Sequence, residues 1–195
     1  MAKREITRGD LMSMDRYGRE RADHRRRMTE LKKNRRVAVG PDATFYFENY
    51  DTMWYQVHEM LHVEKGGEAQ IDDELSAYNP LIPNGQEFVA TLMFEINDEK
   101  RRAEVLSRLG GVETTIAFTV DGETVKAVPE HDVERTTAAG KTSSVHFLHF
   151  PFTSEQVAKF KKPGARIVLG IEHENYTHMT VLSEAVRASL SEDFD

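Results

Sequence analysis

The chain contains no cysteine. Thiol nucleophiles, iron–sulfur clusters held by its own residues and cysteine-based structural zinc are therefore excluded from its chemistry. No apolar run approaches the roughly 18 residues that a spanning helix needs, so a soluble protein with no membrane partner is expected. The opening "MAKREITRGD" is basic but has no apolar stretch behind it, so it does not read as a secretory signal, and a cytoplasmic location is the expectation. Repeats, low-complexity tracts and internal linkers are also missing. A chain of 195 residues suits one domain, 1–195, large enough to close a hydrophobic core without staples.

What is present is charge, unevenly placed. The net charge is −7, but residues 1–36 carry 13 Lys/Arg against 6 Asp/Glu, while residues 37–195 carry 13 against 27. A basic arm can bind nucleic acid phosphates, yet nucleic-acid binders usually have a basic body too. Here the acidic body, of the same chain or of a second copy, is the expected partner of the arm, and nucleic acid is not.

Hydrophobic periodicity gives the elements. Residues 8–34 read as one long helix, with Leu11, Met14, Tyr17, Arg21, His24, Met28 and Leu31 at spacings of three and four. "VAVGPDATFYFEN" is a hairpin around Gly40-Pro41-Asp42, and residues 51–64 form a helix capped by Asp51 or Thr52 and stopped at Lys65-Gly66-Gly67. A short helix "DDELSAY", a strand "EFVATLMFEI", a helix over 98–109 and a hairpin turning at Asp121-Gly122 follow. The last elements are the strand "SSVHFLHFPF", a helix after a Ser154 cap, the strand "ARIVLGIEH" and a terminal helix "SEAVRASL". The fold class is α+β: a largely antiparallel (mixed) sheet with inserted helices and a long N-terminal helix packed on the body or a partner.

One motif stands out. "VHEMLH" contains His58-Glu59-x-x-His62, the opening of the zinc-protease signature. On a helix the two histidines lie one turn apart on one face, and Glu59 is placed to polarise a bound water. The surroundings speak against that use. The helix stops soon after Glu64, and no third ligand stands at a diagnostic spacing, although Glu68, Asp72, Asp73, Glu74 or His173 could serve. The apolar arc Met53, Trp54, Val57, Met60, Leu61 puts the histidines at its edge, where half-buried packing residues are usual. By the same phase Glu64 falls within the arc and needs a partner.

Other histidines offer weaker patterns. His146 and His149 are an odd number apart in a strand and point to opposite faces, so they cannot chelate together. His173 ends a strand, with His178 in the loop after it and Glu172, Glu174 and Tyr176 nearby; His173 is the best candidate outside the motif. "AAGKTSS" imitates the end of a phosphate loop, but Arg135 stands where its first glycine belongs and a strand follows. The metal-ligand candidates are thus His173 and His146, or His58 and His62; any cofactor beyond a divalent metal is unspecified.

The segments "RRVAVGPDATFYFEN", "TMWYQVHEMLHVEK", "ELSAYNPLIPNG", "ERTTAAGKTSSVHFLHF" and "GIEHENY" together resemble DUF3501, a bacterial family of unknown function, over nearly the whole chain. The resemblance implies no activity or catalytic residues. It implies a setting beside a rubrerythrin-like protein and an iron–sulfur oxidoreductase, hence redox, peroxide defence or iron handling. It also implies that Gln and Arg often replace His58 and His62 while Glu59-Met60-Leu61 recurs. Attention then moves to Glu59, Glu64, the Asn79-Pro80-Leu81-Ile82-Pro83 turn, Lys141 to Ser144, His146 and His173.

Three functions are in play. The first is a non-catalytic accessory or binding protein, expected as a homodimer with redox partners. The second is a zinc-dependent hydrolase with His58 and His62 as ligands and Glu59 as base. The third is a ligand or metal sensor built around His146 and His173.

Overall fold

The computed structural model describes residues 3–130, 136–137 and 140–195. The N-terminal segment crosses the body in extended form before any long helix begins. Asp10 turns its carboxylate back onto the Thr7 amide at 2.9 Å, closing a single 3-10 turn at Arg8–Asp10, and Leu11 leaves it extended. Helix α1 (Met14–Lys32) starts only at Ser13, whose hydroxyl accepts from the Arg16 amide. The helix expected over 8–34 is therefore shorter at its front end, because Thr7, Asp10 and Ser13 capture backbone amides locally.

Strands β1 (Arg36–Val39) and β2 (Ala43–Glu48) form the expected hairpin. Helix α2 (Tyr50–Glu64) is capped by Asn49, two positions earlier than Asp51. Asn49 accepts from the Thr52 amide at 3.0 Å, and Thr52 accepts from the Asn49 amide at 2.9 Å. Lys65 then takes a left-handed φ of 56° and ends the helix. Helix α3 (Glu68–Tyr78), strand β3 (Glu87–Phe94), helix α4 (Glu99–Leu106) and strands β4 (Ile116–Val120), β5 (Glu123–Lys126) and β6 (Val128–Pro129) follow. Strand β7 (Val145–Pro151), helix α5 (Ser154–Lys161), strands β8 (Ile167–His173) and β9 (Tyr176–Val181) and helix α6 (Glu184–Ser191) complete the order. Thr153 rather than Ser154 caps α5.

The α+β class holds, but the strands divide between two antiparallel sheets. One has the order β1-β2-β3-β7-β6, the other β5-β4-β8-β9. Their inner faces interlock through a phenylalanine network that includes Phe47, Phe88, Phe118 and Phe150, closed at one end by Phe160 and Phe194. A strand missed in the sequence makes the fourth member of the second sheet. β9 contains His178, which the sequence reading put in a loop. Its exposed Thr177, His178 and Met179 gave no clean alternation, so the pattern was unreadable.

The outer face of the larger sheet is covered by the helices. Ile6, Met53, Val57, Leu61, Leu81, Ile82 and Val89 make a second apolar cluster there, with Phe147 packed against it. Among the described residues no helix is long and apolar enough to cross a membrane.

The arm and the body are joined by charge. Arg4 pairs with Asp195, Arg8 with Glu68 and Asp72, Arg21 with Glu59, and Arg27 with Asp51. The deepest of these joints is Arg35, which is 2% exposed. Its guanidinium donates to the carbonyls of Phe47 at 2.9 Å and Glu48 at 3.0 Å and to the Asp193 carboxylate. It thereby fastens the end of β2 and the tail after α6 to the chain entering β1. Arg35→Met leaves Asp193 as a buried, uncompensated charge and is expected to lower stability by about 3–5 kcal/mol in urea denaturation. Arg35→Met combined with Asp193→Leu is expected to recover most of that loss.

Candidate functional site

The helix carrying the protease-like letters is turned toward α1. His58 is not at the edge of an arc but wholly enclosed, with 0% exposure. Its ring nitrogens both have backbone partners: Nδ1 lies 2.7 Å from the Trp54 carbonyl and Nε2 accepts the Met12 amide at 3.1 Å. A carbonyl can only accept and an amide can only donate, so the ring is the neutral Nδ1–H tautomer with no lone pair left for a metal. Burial also holds its pKa below the usual value. Around it, Tyr17 lies 4.9 Å away and Trp54 3.9 Å away, centroid to centroid. His62 is half-buried, edge-on to Tyr17.

Glu59 is equally occupied. Arg21 grips its carboxylate with two hydrogen bonds of 2.8 Å, and Tyr17 donates to it at 2.6 Å. The Arg21 fork, with help from the Tyr17 hydroxyl, lowers its pKa to about 2. A carboxylate so held is a poor general base near neutral pH. Glu64 is exposed, not within the apolar arc, because the helix ends there; it accepts from the Gln70 amide group at 2.7 Å.

The other histidine candidates are similarly bound. Nε2 of His173 donates to the Gly110 carbonyl at 3.2 Å, and its Nδ1 accepts the Asn175 amide at 3.2 Å. Nε2 of His146 donates to the Ser143 carbonyl at 3.0 Å, with the Thr142 hydroxyl at 3.2 Å. His146 faces the inter-sheet core and His149 the opposite face, where Glu87 and Glu130 flank it and Glu87 chiefly raises its pKa. Among the described residues, no three His, Asp or Glu side chains gather as an ion site. Arg135, Ala138 and Ala139 of the phosphate-loop comparison lie outside the described residues.

A different place meets the description of a site. Between the larger sheet and the helices lies a cavity of about 440 Å³, near the lower end of the range for small-molecule pockets. Strand alternation builds its floor. Tyr46 and Glu48 on β2, Thr91 and Met93 on β3 and Phe147 on β7 all point outward from this sheet. The roof is Lys32 of α1, Met53 and Gln56 of α2, Tyr78 of α3 and Leu81.

Glu48 distinguishes this cavity. It is 5% exposed; one carboxylate oxygen accepts from the Thr91 hydroxyl at 2.8 Å, and Oε2 has no hydrogen-bond partner. Arg35 reaches the Glu48 carbonyl, not its carboxylate. Burying a carboxylate without a partner is costly, so natural proteins keep such groups where something else completes them. A larger open groove of about 570 Å³ beside Gln86 and Lys161 is occupied at its rim by Asp195 and contains no such atom. Sequence reading missed Glu48 because an acid at the end of an alternating strand looks like an ordinary solvent-facing residue; only the helices above it bury it.

Two measurements check these assignments. Glu48→Gln keeps an acceptor for Thr91 and removes the buried charge, so the unliganded protein is expected to gain about 1 kcal/mol in urea denaturation. His58 has a lowered native pKa, so its stabilising contribution is full above about pH 6.5, the unfolded value, and is lost as pH falls below it. Glu59 acts only further down, below about pH 4.5, and His149, being raised, loses its contribution as pH rises instead. Between pH 7 and pH 5 the two histidines act in opposite senses, so the expected outcome is a difference: the urea midpoint of His58→Gln is expected to rise relative to that of the wild type as pH falls from 7 to 5.

The comparisons agree with one another. The sequence profile described as protein of unknown function (DUF3501) matches residues 5–194. A crystal structure described as a novel protein of unknown function from Burkholderia pseudomallei K96243 has a TM-score of 0.90 to this one. The two are 39% identical, and the match covers 97% of this chain and 99% of that one. No curated protein matches the chain. The profile runs through the arm, both sheets and the tail alike, and the chain belongs to the DUF3501 family of proteins of unknown function.

Proposed function

We propose that this protein is a non-catalytic binding or accessory protein that takes a small organic ligand between its larger sheet and its helices. The observation that carries the reading is the buried Glu48 carboxylate, half satisfied, on the wall of a cavity of about 440 Å³. The zinc-hydrolase reading has less support, since His58 has both nitrogens engaged by backbone and Glu59 is neutralised by Arg21. The setting we propose is the redox, peroxide-defence or iron-handling one implied by the family resemblance. Homo-oligomers and a rubrerythrin-like or iron–sulfur oxidoreductase partner belong to the same proposal.

Met53 and Met93 sit on opposite walls of the cavity and serve as reporters. In spectra of methyl-labelled methionine, a panel of aromatic amines, alcohols and acids is expected to include compounds that shift both signals. Gln56→Trp, which fills the cavity from α2, is expected to abolish those shifts while leaving the fold intact. A panel that shifts neither methyl, or shifts them equally in the filled variant, defeats the reading.

A further inference from the structure

We infer that the ligand of this cavity is a singly charged organic cation, a primary amine or amidine carried on an aromatic or branched apolar body. The inference rests on the binding reading above and adds the chemical class. Three observations lead to it, and each narrows the choice.

The first is the polarity of the missing partner. Glu48 Oε2 is an acceptor, so whatever completes it must donate a hydrogen bond, and an anion is repelled. The second is that the buried arginine next to Glu48 is engaged elsewhere, and Lys32 on the roof makes no ion pair with Glu48. Arg35 directs its donors to Phe47, Glu48 backbone, Ser189 and Asp193, leaving the side-chain carboxylate of Glu48 without it. A charged donor also offsets the buried negative charge, which a neutral hydroxyl, although it can donate to the same oxygen, does not.

The third is the surrounding wall. Tyr46, Tyr78 and Phe147 present rings, and Met53, Met93 and Leu81 present apolar surface. The Tyr46 hydroxyl donates outward to Glu95 at 2.7 Å, so its contribution to the cavity is its ring. Aromatic faces favour an organic cation and its apolar body together. They disfavour a metal ion, which has one carboxylate here and no second acidic ligand on the wall. Lys32 stands on the roof with no ion pair among the described residues, and a second positive charge on the ligand is opposed by it. A monocation fits better than a polyamine.

Phenethylamine, 2-phenylethanol and phenylacetate differ mainly in the charge and donor character of one terminal group, and they test the assignment on the full chain at pH 7.5. By calorimetry the amine is expected to bind at least about tenfold more tightly than the alcohol, with the acid weakest. Glu48→Gln, its fold verified by the methionine methyl spectrum, is expected to weaken the amine at least about tenfold and the alcohol by less than about threefold. Lys32→Met is expected to leave amine binding unchanged or tighter. If alcohol and amine bind equally, or Glu48→Gln leaves the amine untouched, the charge assignment is overturned while the cavity reading stands. If the amine binds only to Lys32→Met, Lys32 is the carboxylate's own counter-ion and the assignment also falls. If none of the three shifts the Met53 and Met93 methyls, both readings fall.

Discussion

The joint between α1 and α2 governs how the helical layer is built. Four side chains make it: Tyr17 and Arg21 on one helix, His58 and Glu59 on the other. Its strength comes from pairing the polar atoms of His58 and Glu59 with partners of the opposite hydrogen-bonding sense. The Met12 amide and the Trp54 carbonyl fix His58 in one tautomer, while the Trp54 indole donates to the Asp10 carbonyl at 2.9 Å and pins the extended segment ahead of α1. Gly18 lies against His62, where an added Cβ would stand 3.4 Å from its ring, so α1 passes close over α2. With α1 held there, its last turn puts Lys32 on the roof of the cavity.

The same joint explains the letters of the zinc-protease motif without zinc. Two positions one turn apart on a helix are needed to face a metal, and they are equally needed to face a second helix. The distinction lies in what meets the ring nitrogens, and here it is backbone. A glutamine at position 58 would likewise bring a donor and an acceptor and suit the same two backbone partners. The Glu59-Met60-Leu61 core keeps the carboxylate for Arg21 and the apolar contact of Leu61.

Glu48 is arranged in the opposite way. The surrounding sheet and helices exclude water from it yet supply one hydroxyl only, so the fold tolerates at this point a deficiency that it avoids at Glu59. Both residues are acids close to an arginine. At Glu59 the guanidinium meets the carboxylate; at Glu48 Arg35 meets the carbonyl and is drawn away by Asp193. That asymmetry separates an acid whose charge is paired within the protein from one whose charge is not.

Local chemistry was readable from the sequence wherever one segment sufficed. The Asp121-Gly122 turn, the stop at Lys65, the alternation of β2, β3 and β7 and the opposite faces of His146 and His149 depend on residues within a few positions of one another. So does the charge contrast between the arm and the body, although not which acid each arginine meets. What only the tertiary structure decided are the pairings between distant segments. The strands split into two sheets, His58 is closed in by Met12, Glu64 is left in solvent, and Glu48, outward-facing by its strand, is buried by helices that sequence places elsewhere. Periodicity states which face of an element is apolar; it carries no record of what will be laid across the other face, and burial is the property that turns an ordinary glutamate into a site.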